Sequence, residues 1–299
     1  MSDDARRWSL FAAMCVIWGI PYLLIRVAVR DLDPAVLVFG RTFLGAVLLL
    51  PLAARRGELR PVLARWRPLL VFAAIEIAVP WLLLSSAEQR LSSSFTGLTI
   101  AVVPLVGAAV SRERLGAWSF GGLALGLVGV AALVGLDLSG TSVGALVEIA
   151  GVVVGYAVGP IVLARFLRGL PALGVIAVSL GVTAVVYAPF AAFRLPSHTP
   201  PAKVVASVVA LAVVCTAVAF VLFFALIELI GPVRATVITY VNPAVAAVLG
   251  VGLLGERFTA GMGLGFALIL VGSVLAARPQ RPRAPAGIRR SSEEPQTTV

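Results

Sequence analysis

Apolar runs of about 20 residues follow one another along almost the whole chain, separated by short segments rich in Arg, Pro or Gly. A helix of about 20 residues is long enough to cross the roughly 30 Å hydrocarbon core of a bilayer. Only 13% of the 299 residues are charged, where a soluble domain has about a quarter. Runs such as FGGLALGLVGVAALVG (120–135) lack the period-two alternation of strands in a membrane barrel. The sequence therefore predicts an all-α integral membrane protein.

Charged residues and clusters of Pro and Gly divide the chain into ten predicted transmembrane helices. A short cytoplasmic N-terminus (1–8) precedes them. The Pro-rich polar segment after them (278–299) predicts a disordered, basic cytoplasmic tail. The predicted spans are 9–29, 34–53, 68–87, 92–111, 116–136, 142–163, 171–193, 203–229, 233–254 and 259–277.

Lys and Arg are distributed unequally between the two sets of connecting segments. With the N-terminus placed in the cytoplasm, 17 of the 24 basic residues fall in inner segments and six in outer segments. Cytoplasmic loops carry such an excess, so both termini are predicted to be cytoplasmic in a multi-pass protein of the cytoplasmic (inner) membrane. This bias accounts for the net charge of +10 without a nucleic-acid partner, and the basic tail can contact anionic lipid.

The chain also contains an internal repeat. PYLLIR at 21–26 matches PIVLAR at 160–165 with an offset of 139, and Pro104 matches Pro243 with the same offset. Further along, the segment that begins ERLGAWSFGG near Glu113 resembles ERFTAGMGLG near Glu256, with an offset of 143. These matches predict two copies of a five-helix unit.

The two predicted copies cover residues 9–136 (helices 1–5) and 137–277 (helices 6–10). Because five is an odd number, the second copy must insert upside down relative to the first. Inverted repeats are typical of secondary transporters, whose binding site lies near the middle of the membrane between the repeats.

Three motifs give the chain a family resemblance: WGIP at 18–21, Arg41 early in the second helix, and GPVRATVITYVNPAVAAVLGVGLLGE at 231–256. With these motifs, the chain resembles the EamA-like family of the drug/metabolite transporter superfamily over about residues 9–277. The short loop around Glu113 departs from the usual spacing. The resemblance implies ten helices and the export or exchange of small metabolites or drugs, without fixing a substrate.

Three ionisable side chains, Arg41, Glu76 and Glu148, lie inside predicted spans, where a charge costs about 2.5–3.5 kcal/mol on insertion scales. Glu148 shares a helix face with the three glycines of 151–159, so it should point at another helix or a cavity. Arg41 and Glu148 lie at similar predicted depth and could form a pair. Glu76 lies nearer the middle of the membrane.

These groups are predicted to line a central cavity, where either Arg41 would hold an anionic part of the substrate or one of the carboxylates would exchange protons during transport. The alternative is a structural ion pair or hydrogen bond that locks helices together. A second layer of aromatic and amide groups is expected near the middle of the membrane, with ordinary packing as its alternative: Trp18, Tyr22, Trp81, Tyr240 and Asn242.

Four prolines, which lie inside predicted helices, are candidate gating hinges or, alternatively, static bends that shape the cavity: Pro21, Pro104, Pro160 and Pro243. Glu113 and Glu256 end helices at the membrane surface, where the sequence favours a solvated or Arg-paired role. Cys15 and Cys215 are expected to be small buried residues.

The repeat favours a secondary transporter that works by alternating access. The family resemblance alone implies that it exports small metabolites or drugs, and Glu76 and Glu148 motivate the hypothesis that transport is coupled to protons. An uncoupled facilitator and a lipid-handling or scaffolding protein are the alternatives. An enzyme is disfavoured, since the single histidine, His198, lies in a loop without a nucleophile or metal-ligand pattern. No cofactor or metal is predicted. The expected partners are a small-molecule substrate and the bilayer.

Overall fold

The computed structural model of the protein describes residues 3–110, 117–135, 142–230 and 238–276, and its secondary structure there is helical. Two six-residue π-helical segments interrupt otherwise α-helical runs, Ala73–Ala78 between α5 and α6 and Val213–Val218 between α12 and α13. The α-helices, numbered in chain order, are α1 Asp3–Ile17, α2 Pro21–Ala28, α3 Pro34–Arg55, α4 Leu59–Leu63, α5 Trp66–Phe72, α6 Val79–Ala87, α7 Ser93–Ile100, α8 Val103–Val110, α9 Ala117–Gly135, α10 Val143–Phe166, α11 Ala172–Ala192, α12 Ala202–Ala212, α13 Ala219–Ile230, α14 Ile238–Leu254 and α15 Ala260–Ala276.

Within the described residues, six helical stretches are long and apolar enough to cross a membrane. They confirm the predicted all-α membrane fold, and their positions agree with predicted spans. Four shorter apolar helical stretches coincide with the other predicted spans. The six long stretches are Asp4–Ala28, Pro34–Arg55, Trp66–Ala87, Val143–Phe166, Ala172–Ala192 and Ala202–Ile230; the four shorter ones are Ser93–Gly107, Phe120–Ala132, Val241–Leu254 and Ala260–Leu275.

The four predicted hinge prolines differ in their helical context. Turns at 18–20 and 101–102 precede Pro21 and Pro104, which occupy the first and second positions of α2 and α8. Proline is tolerated at such positions because the first N–H groups of a helix have no partner inside the helix. Pro160 and Pro243 instead lie inside the continuous helices α10 and α14.

The turn before Pro21 lies against the helix α14. A Cβ atom added to Gly19 would lie 2.5 Å from Cβ of Val245 and 3.1 Å from the carbonyl oxygen of Asn242. Gly19 therefore allows the backbone of the turn to contact α14 directly, which accounts for the glycine in the WGIP motif.

The two π-helical segments occupy matching places in the repeat, because Ala73 and Val213 are 140 residues apart. A π turn carries an extra residue and leaves backbone carbonyl groups to be satisfied from outside the ordinary helical ladder. Around these segments, Tyr187 Oη donates to the Ala78 carbonyl at 3.0 Å, and Thr216 Oγ1 donates to the Leu211 carbonyl at 2.8 Å.

Two pairs of glycines that match at the offset of 143 residues lie where α9 crosses α15. A Cβ atom on Gly129 would be 2.8 Å from the Gly265 carbonyl oxygen, and one on Gly272 would be 2.6 Å from the Gly122 carbonyl oxygen. Gly122 corresponds to Gly265 in the repeat and Gly129 to Gly272, so each contact is the counterpart of the other. Because Gly122 meets Gly272 while Gly129 meets Gly265, the two helices run antiparallel.

The glycine face of α10, which was expected to face another helix or a cavity, packs against the helical stretch Trp66–Ala87. A Cβ atom on Gly151 would lie 2.8 Å from Leu83 Cδ1, and one on Gly155 would lie 2.7 Å from the Ile75 carbonyl oxygen. This packing brings the π turn Ala73–Ala78 against the middle of α10.

Candidate functional site

Arg41 lies at the centre of the candidate site, on the α3 helix that Asp33 caps by accepting a hydrogen bond from the Ala35 amide at 2.8 Å. The Arg41 side chain is buried, with 8% of its surface exposed. Its guanidinium carbon lies 3.6 Å from the ring centroid of Trp81, within the range of a cation–π interaction. Its Nε donates to Thr216 Oγ1 at 3.0 Å.

Arg41 has no carboxylate within 4 Å among the described residues. A buried positive charge is normally paired or hydrogen-bonded. Here one N–H contacts a neutral hydroxyl group, and an aromatic ring covers one face of the guanidinium. The remaining N–H groups are suited to binding a carboxylate or phosphate through two parallel hydrogen bonds.

Thr216 brings the second half of the chain to Arg41. It lies on the π turn Val213–Val218, where its hydroxyl oxygen accepts from Arg41 while donating to the Leu211 carbonyl. Its methyl group lies 3.3 Å from the position that a Cβ atom on Gly45 would take, so α3 and this π turn are in close contact.

Glu76 occupies the matching position, 140 residues earlier, on the other π turn. Its Oε2 atom is buried and has no hydrogen-bond partner within the described structure. The same oxygen lies 1.8 Å from where a Cβ atom on Gly159 would stand, so only glycine leaves room for the carboxylate there.

Two tyrosines complete the group around Arg41. Tyr22, on α2, is buried, and Tyr156, on α10, packs against two hydrophobic clusters of the core. Both tyrosines lie within electrostatic reach of Arg41, and Tyr156 is also within reach of Glu76. The site therefore combines side chains from both repeats.

The predicted pair between Arg41 and Glu148 is wrong. Glu148, in the second repeat, is instead paired with Arg90, which like Arg41 lies in the first repeat. It also accepts a hydrogen bond from Ser86 Oγ at 2.9 Å. Glu148 does point at a neighbouring helix, but its partners lie at the end of the stretch Trp66–Ala87, away from Arg41.

Trp18 and Asn242 lie in another part of the interior. The ring centroid of Trp18 is 4.6 Å from that of Phe223 and 5.8 Å from that of Phe220. The Asn242 side-chain amide donates to the carbonyl oxygens of Cys15 at 3.0 Å and Ile238 at 2.9 Å. These contacts stabilise the packing of α1 against α13 and α14.

The side chain of Tyr240 and all of Glu113 lie outside the described residues. Glu256 departs from the expected solvated or Arg-paired role, because its carboxylate accepts from the backbone and side chains of Ser93 and Ser94. Cys15 and Cys215 are both buried and free, as expected.

Thr216 and Tyr156 belong to the site but were not predicted from the sequence. Neither is ionised at neutral pH, so a search for charges inside predicted spans passes over both. The repeat offers a signal for Thr216, since it aligns with Glu76 at nearly the same offset as the matched prolines. For Tyr156 the sequence offers only its place between Gly155 and Gly159 on α10, the glycine-rich helix face that was expected to face another helix or a cavity.

Comparisons with known proteins agree with this architecture. The model of a family described as the EamA-like transporter family matches residues 7–135 and again 144–278. The uncharacterized inner membrane transporter YedA of Escherichia coli strain K12 is 32% identical over 263 residues, covering 84% of this chain and 83% of YedA. YedA of Escherichia coli O157:H7 matches with the same values.

A solved crystal structure of a protein without a stated function has a TM-score of 0.66 to this chain, with 23% sequence identity. The alignment covers 92% of this chain and 98% of that one. The solved protein therefore shares the fold.

Proposed function

This chain belongs to the EamA-like transporter family of the drug/metabolite transporter superfamily, and from that premise we propose that it is a secondary exporter of small metabolites or drugs that carry an anionic group. It is a membrane transporter rather than an enzyme, embedded as a multi-pass protein in the inner membrane. The finer proposal is that two inverted five-helix repeats alternately open a central site to the two sides of the membrane.

The buried Arg41 guanidinium carries this proposal. It is held by Trp81 of the first repeat and Thr216 of the second, and it retains N–H groups that no described carboxylate occupies. A substrate carboxylate or phosphate would supply the missing negative charge. Movement of one repeat against the other would also separate Arg41 from Thr216, which links binding to the change of access.

The antiparallel contact of α9 with α15 supports inversion of the repeats. Two copies related by an axis within the membrane plane place equivalent helices antiparallel, whereas two parallel copies would not. The orientation proposed from the basic residues places both termini in the cytoplasm. The ends of the helices near Arg90 would then face outward.

Proton coupling through Glu76 is part of the proposal, with an uncoupled facilitator as the alternative. The unpartnered, buried Oε2 atom supports a role for Glu76 in binding a proton. Glu148 is less suited to binding a proton, since Arg90 and Ser86 already pair with its carboxylate.

A lipid-handling protein, the other alternative, would need a polar groove. The groove beside α11 is lined mainly by apolar residues, and its one charged residue, Arg194, is paired with Asp33.

The test is uptake into proteoliposomes of a panel containing amino acids, mono- and dicarboxylates, sugar phosphates and amine drugs. Arg41→Gln should reduce carboxylate or phosphate uptake by about tenfold or more, the equivalent of a charge-assisted hydrogen bond of 1.5–3 kcal/mol. Arg41→Lys should retain part of the uptake. Arg194→Gln, which removes a surface arginine, should leave uptake unchanged.

Equal uptake by Arg41→Gln and the wild type would exclude Arg41 as the anion site. The same vesicles test coupling with an imposed pH gradient. Glu76→Gln should abolish gradient-driven accumulation while retaining exchange, and Glu148→Gln should retain both. Accumulation in Glu76→Gln equal to that in the wild type would favour the uncoupled facilitator.

A further inference from the structure

Glu256 joins the two repeats at one end of the helix bundle. Its Oε1 accepts from the Ser93 amide at 2.8 Å and the Ser93 hydroxyl at 3.0 Å, while Oε2 accepts from the Ser94 amide at 2.8 Å and the Ser94 hydroxyl at 2.6 Å. The carboxylate thus satisfies free N–H groups at the start of α7, where negative charge is favourable. We call these contacts of Glu256 with Ser93 and Ser94 the inter-repeat latch.

Gly250 is required for the latch to form as it does. A Cβ atom at this position would lie 2.3 Å from Glu256 Oε2 and 2.3 Å from Ser94 Oγ. The end of α14 therefore packs directly over the first turn of α7. At the same end of the bundle, Arg90 bonds to Glu148 and to Ser142 Oγ, which adds two further contacts between the repeats, and we refer to this contacted arrangement as closed.

A second carboxylate, Glu88, lies within electrostatic reach of Glu256 in the latch. It directly follows the membrane stretch Trp66–Ala87, and none of its surface is exposed. Both of its carboxylate oxygens are buried, and neither has a hydrogen-bond partner in the described structure. An ionised carboxylate without partners is very costly to bury, so the closed arrangement favours the neutral acid.

Among the described residues, four titratable groups lie near Glu88. Arg26 donates to its backbone carbonyl rather than to its carboxylate, Glu256 brings a negative charge, and Tyr22 and Tyr156 lie within electrostatic reach. Burial raises the pKa of Glu88 well above its usual range; the charge of Glu256 raises this pKa further, and that of Arg26 lowers it. As pH rises through this raised pKa, Glu88 would acquire a negative charge close to Glu256.

We propose that the Glu88 carboxyl group is a proton-binding site, and that its protonated form permits the two repeats to close at the inter-repeat latch. With a proton bound, Glu88 is neutral and can be buried close to Arg26 and Glu256. When the proton leaves to water, two adjacent carboxylates repel each other and the buried charge requires solvent. The latch then opens, and Glu88 becomes exposed.

The role of this proton-binding site in transport rests on the proposed function of the protein as a secondary transporter. In the orientation proposed above, the latch is on the outer side, so a proton taken up from outside would accompany closure after substrate release. Glu88 differs in this respect from Glu76, which lies at the central site beside α10.

Proton occupancy can be measured without any substrate. The infrared spectrum of the purified protein in nanodiscs should contain the carbonyl band of a protonated carboxyl group at neutral pH, and Glu88→Gln should remove a component of that band. Glu58→Gln is the matched control, since Glu58 Oε2 accepts from the Gly174 amide at 2.8 Å at the opposite end of the bundle. The control should leave the band unchanged.

Closure can be followed with spin labels at Gln89→Cys and Gly252→Cys, one in each repeat. Gln89 is exposed, a side chain at position 252 would meet nothing within 4 Å, and both native cysteines are buried. In the otherwise wild-type protein, a longer distance should appear as pH rises. Glu88→Gln, which cannot lose a proton, should keep the short distance at every pH, and Glu58→Gln should respond as the wild type does.

The proposal is overturned if Glu88→Gln leaves the carboxyl band intact, or if its label distances depend on pH in the same way as those of the wild type. Thermal unfolding of each variant shows that it is folded. If both measurements give the expected results but no panel compound is transported by the wild type, the proton site stands and the carrier function fails.

Discussion

In the first half of the chain, turns precede Pro21 and Pro104, whereas in the second half α10 and α14 continue through the matching Pro160 and Pro243. Proline at equivalent positions thus accompanies a helix start in one half and a continuous helix in the other. The difference before Pro21 lies in its surroundings. Gly19 lets α14 approach the turn, while the equivalent position in the second half is Val158. At Pro21, the contact with α14 therefore accompanies the helix stop, which the proline alone does not explain.

The two π turns show a second difference between the halves. In the second half, Thr216 donates to a carbonyl of its own helix and accepts from Arg41. In the first half, Glu76 has a buried oxygen without a partner among the described residues. The π turn therefore occurs in both halves of the chain. In the second half its polar side chain is hydrogen-bonded, and in the first half its carboxylate has an oxygen without a hydrogen-bond partner among the described residues.

The largest expected effect tests the contact between α14 and the turn at residues 18–20. Gly19→Val would place Cβ 2.5 Å from Val245, so we expect a loss of about 3 kcal/mol, in the upper part of the range for overpacked interiors. The reverse change in the other half, Val158→Gly, should lose less, about 2 kcal/mol, from the helix penalty of glycine and the lost contacts of a half-buried side chain. Thermal unfolding in detergent, followed by size-exclusion chromatography, measures both. Equal melting temperatures for the two variants would contradict a special role for Gly19.

A smaller effect separates the two π turns. Thr216→Val preserves shape but removes the acceptor for Arg41 Nε and the donor to the Leu211 carbonyl, so a loss of about 2 kcal/mol is expected. Glu76→Gln should cost less, because Oε2 makes no hydrogen bond that the change could break. The same unfolding assay compares the two variants. A greater loss for Glu76→Gln would show that its carboxylate stabilises the fold.

The smallest effect concerns the prolines themselves. Pro160→Ala restores an N–H that can donate to the Tyr156 carbonyl, and should raise stability by about 1 kcal/mol, part of the roughly 3 kcal/mol cost of a proline inside a helix. Pro21→Ala should change stability by less than about 0.5 kcal/mol, since a proline at the start of a helix removes no intrahelical bond. A melting temperature that rises equally in both variants would show that helical context does not distinguish them.

Much of the fold could be predicted from the sequence because lipid imposes a simple requirement on helix length and composition. The predicted spans coincide with helical stretches, and the glycine face of α10 contacts another helix as expected. The first helix begins at Asp3 rather than near residue 9, since its polar first turns are also helical. Neither the turn at 18–20 nor the π segments could be predicted, as both depend on contacts between distant helices.

The candidate site was harder to predict. Arg41 and Trp81, which the sequence places in two different layers, are in contact. Counting residues along a span predicts the depth of a side chain in the membrane but not its direction around the helix axis. For that reason depth alone allows a pair between Glu148 and Arg41, although the long side chain of Arg90 reaches Glu148 from the helix end. The sequence does not single out Glu88, because a carboxylate at the end of a predicted span is usually solvated.

The reciprocal glycine contacts between α9 and α15 make the protein resemble a dimer whose subunits have been joined into one chain. Each half presents the same patch to the other, as the two partners of a symmetric dimer do. A substitution at Gly129 in one half therefore disturbs the same kind of surface as a substitution at Gly272 in the other. The covalent connection sets the ratio of the halves at one to one, and this leaves each half free to acquire side chains, such as Glu76 and Thr216, that an association of identical subunits could not keep distinct.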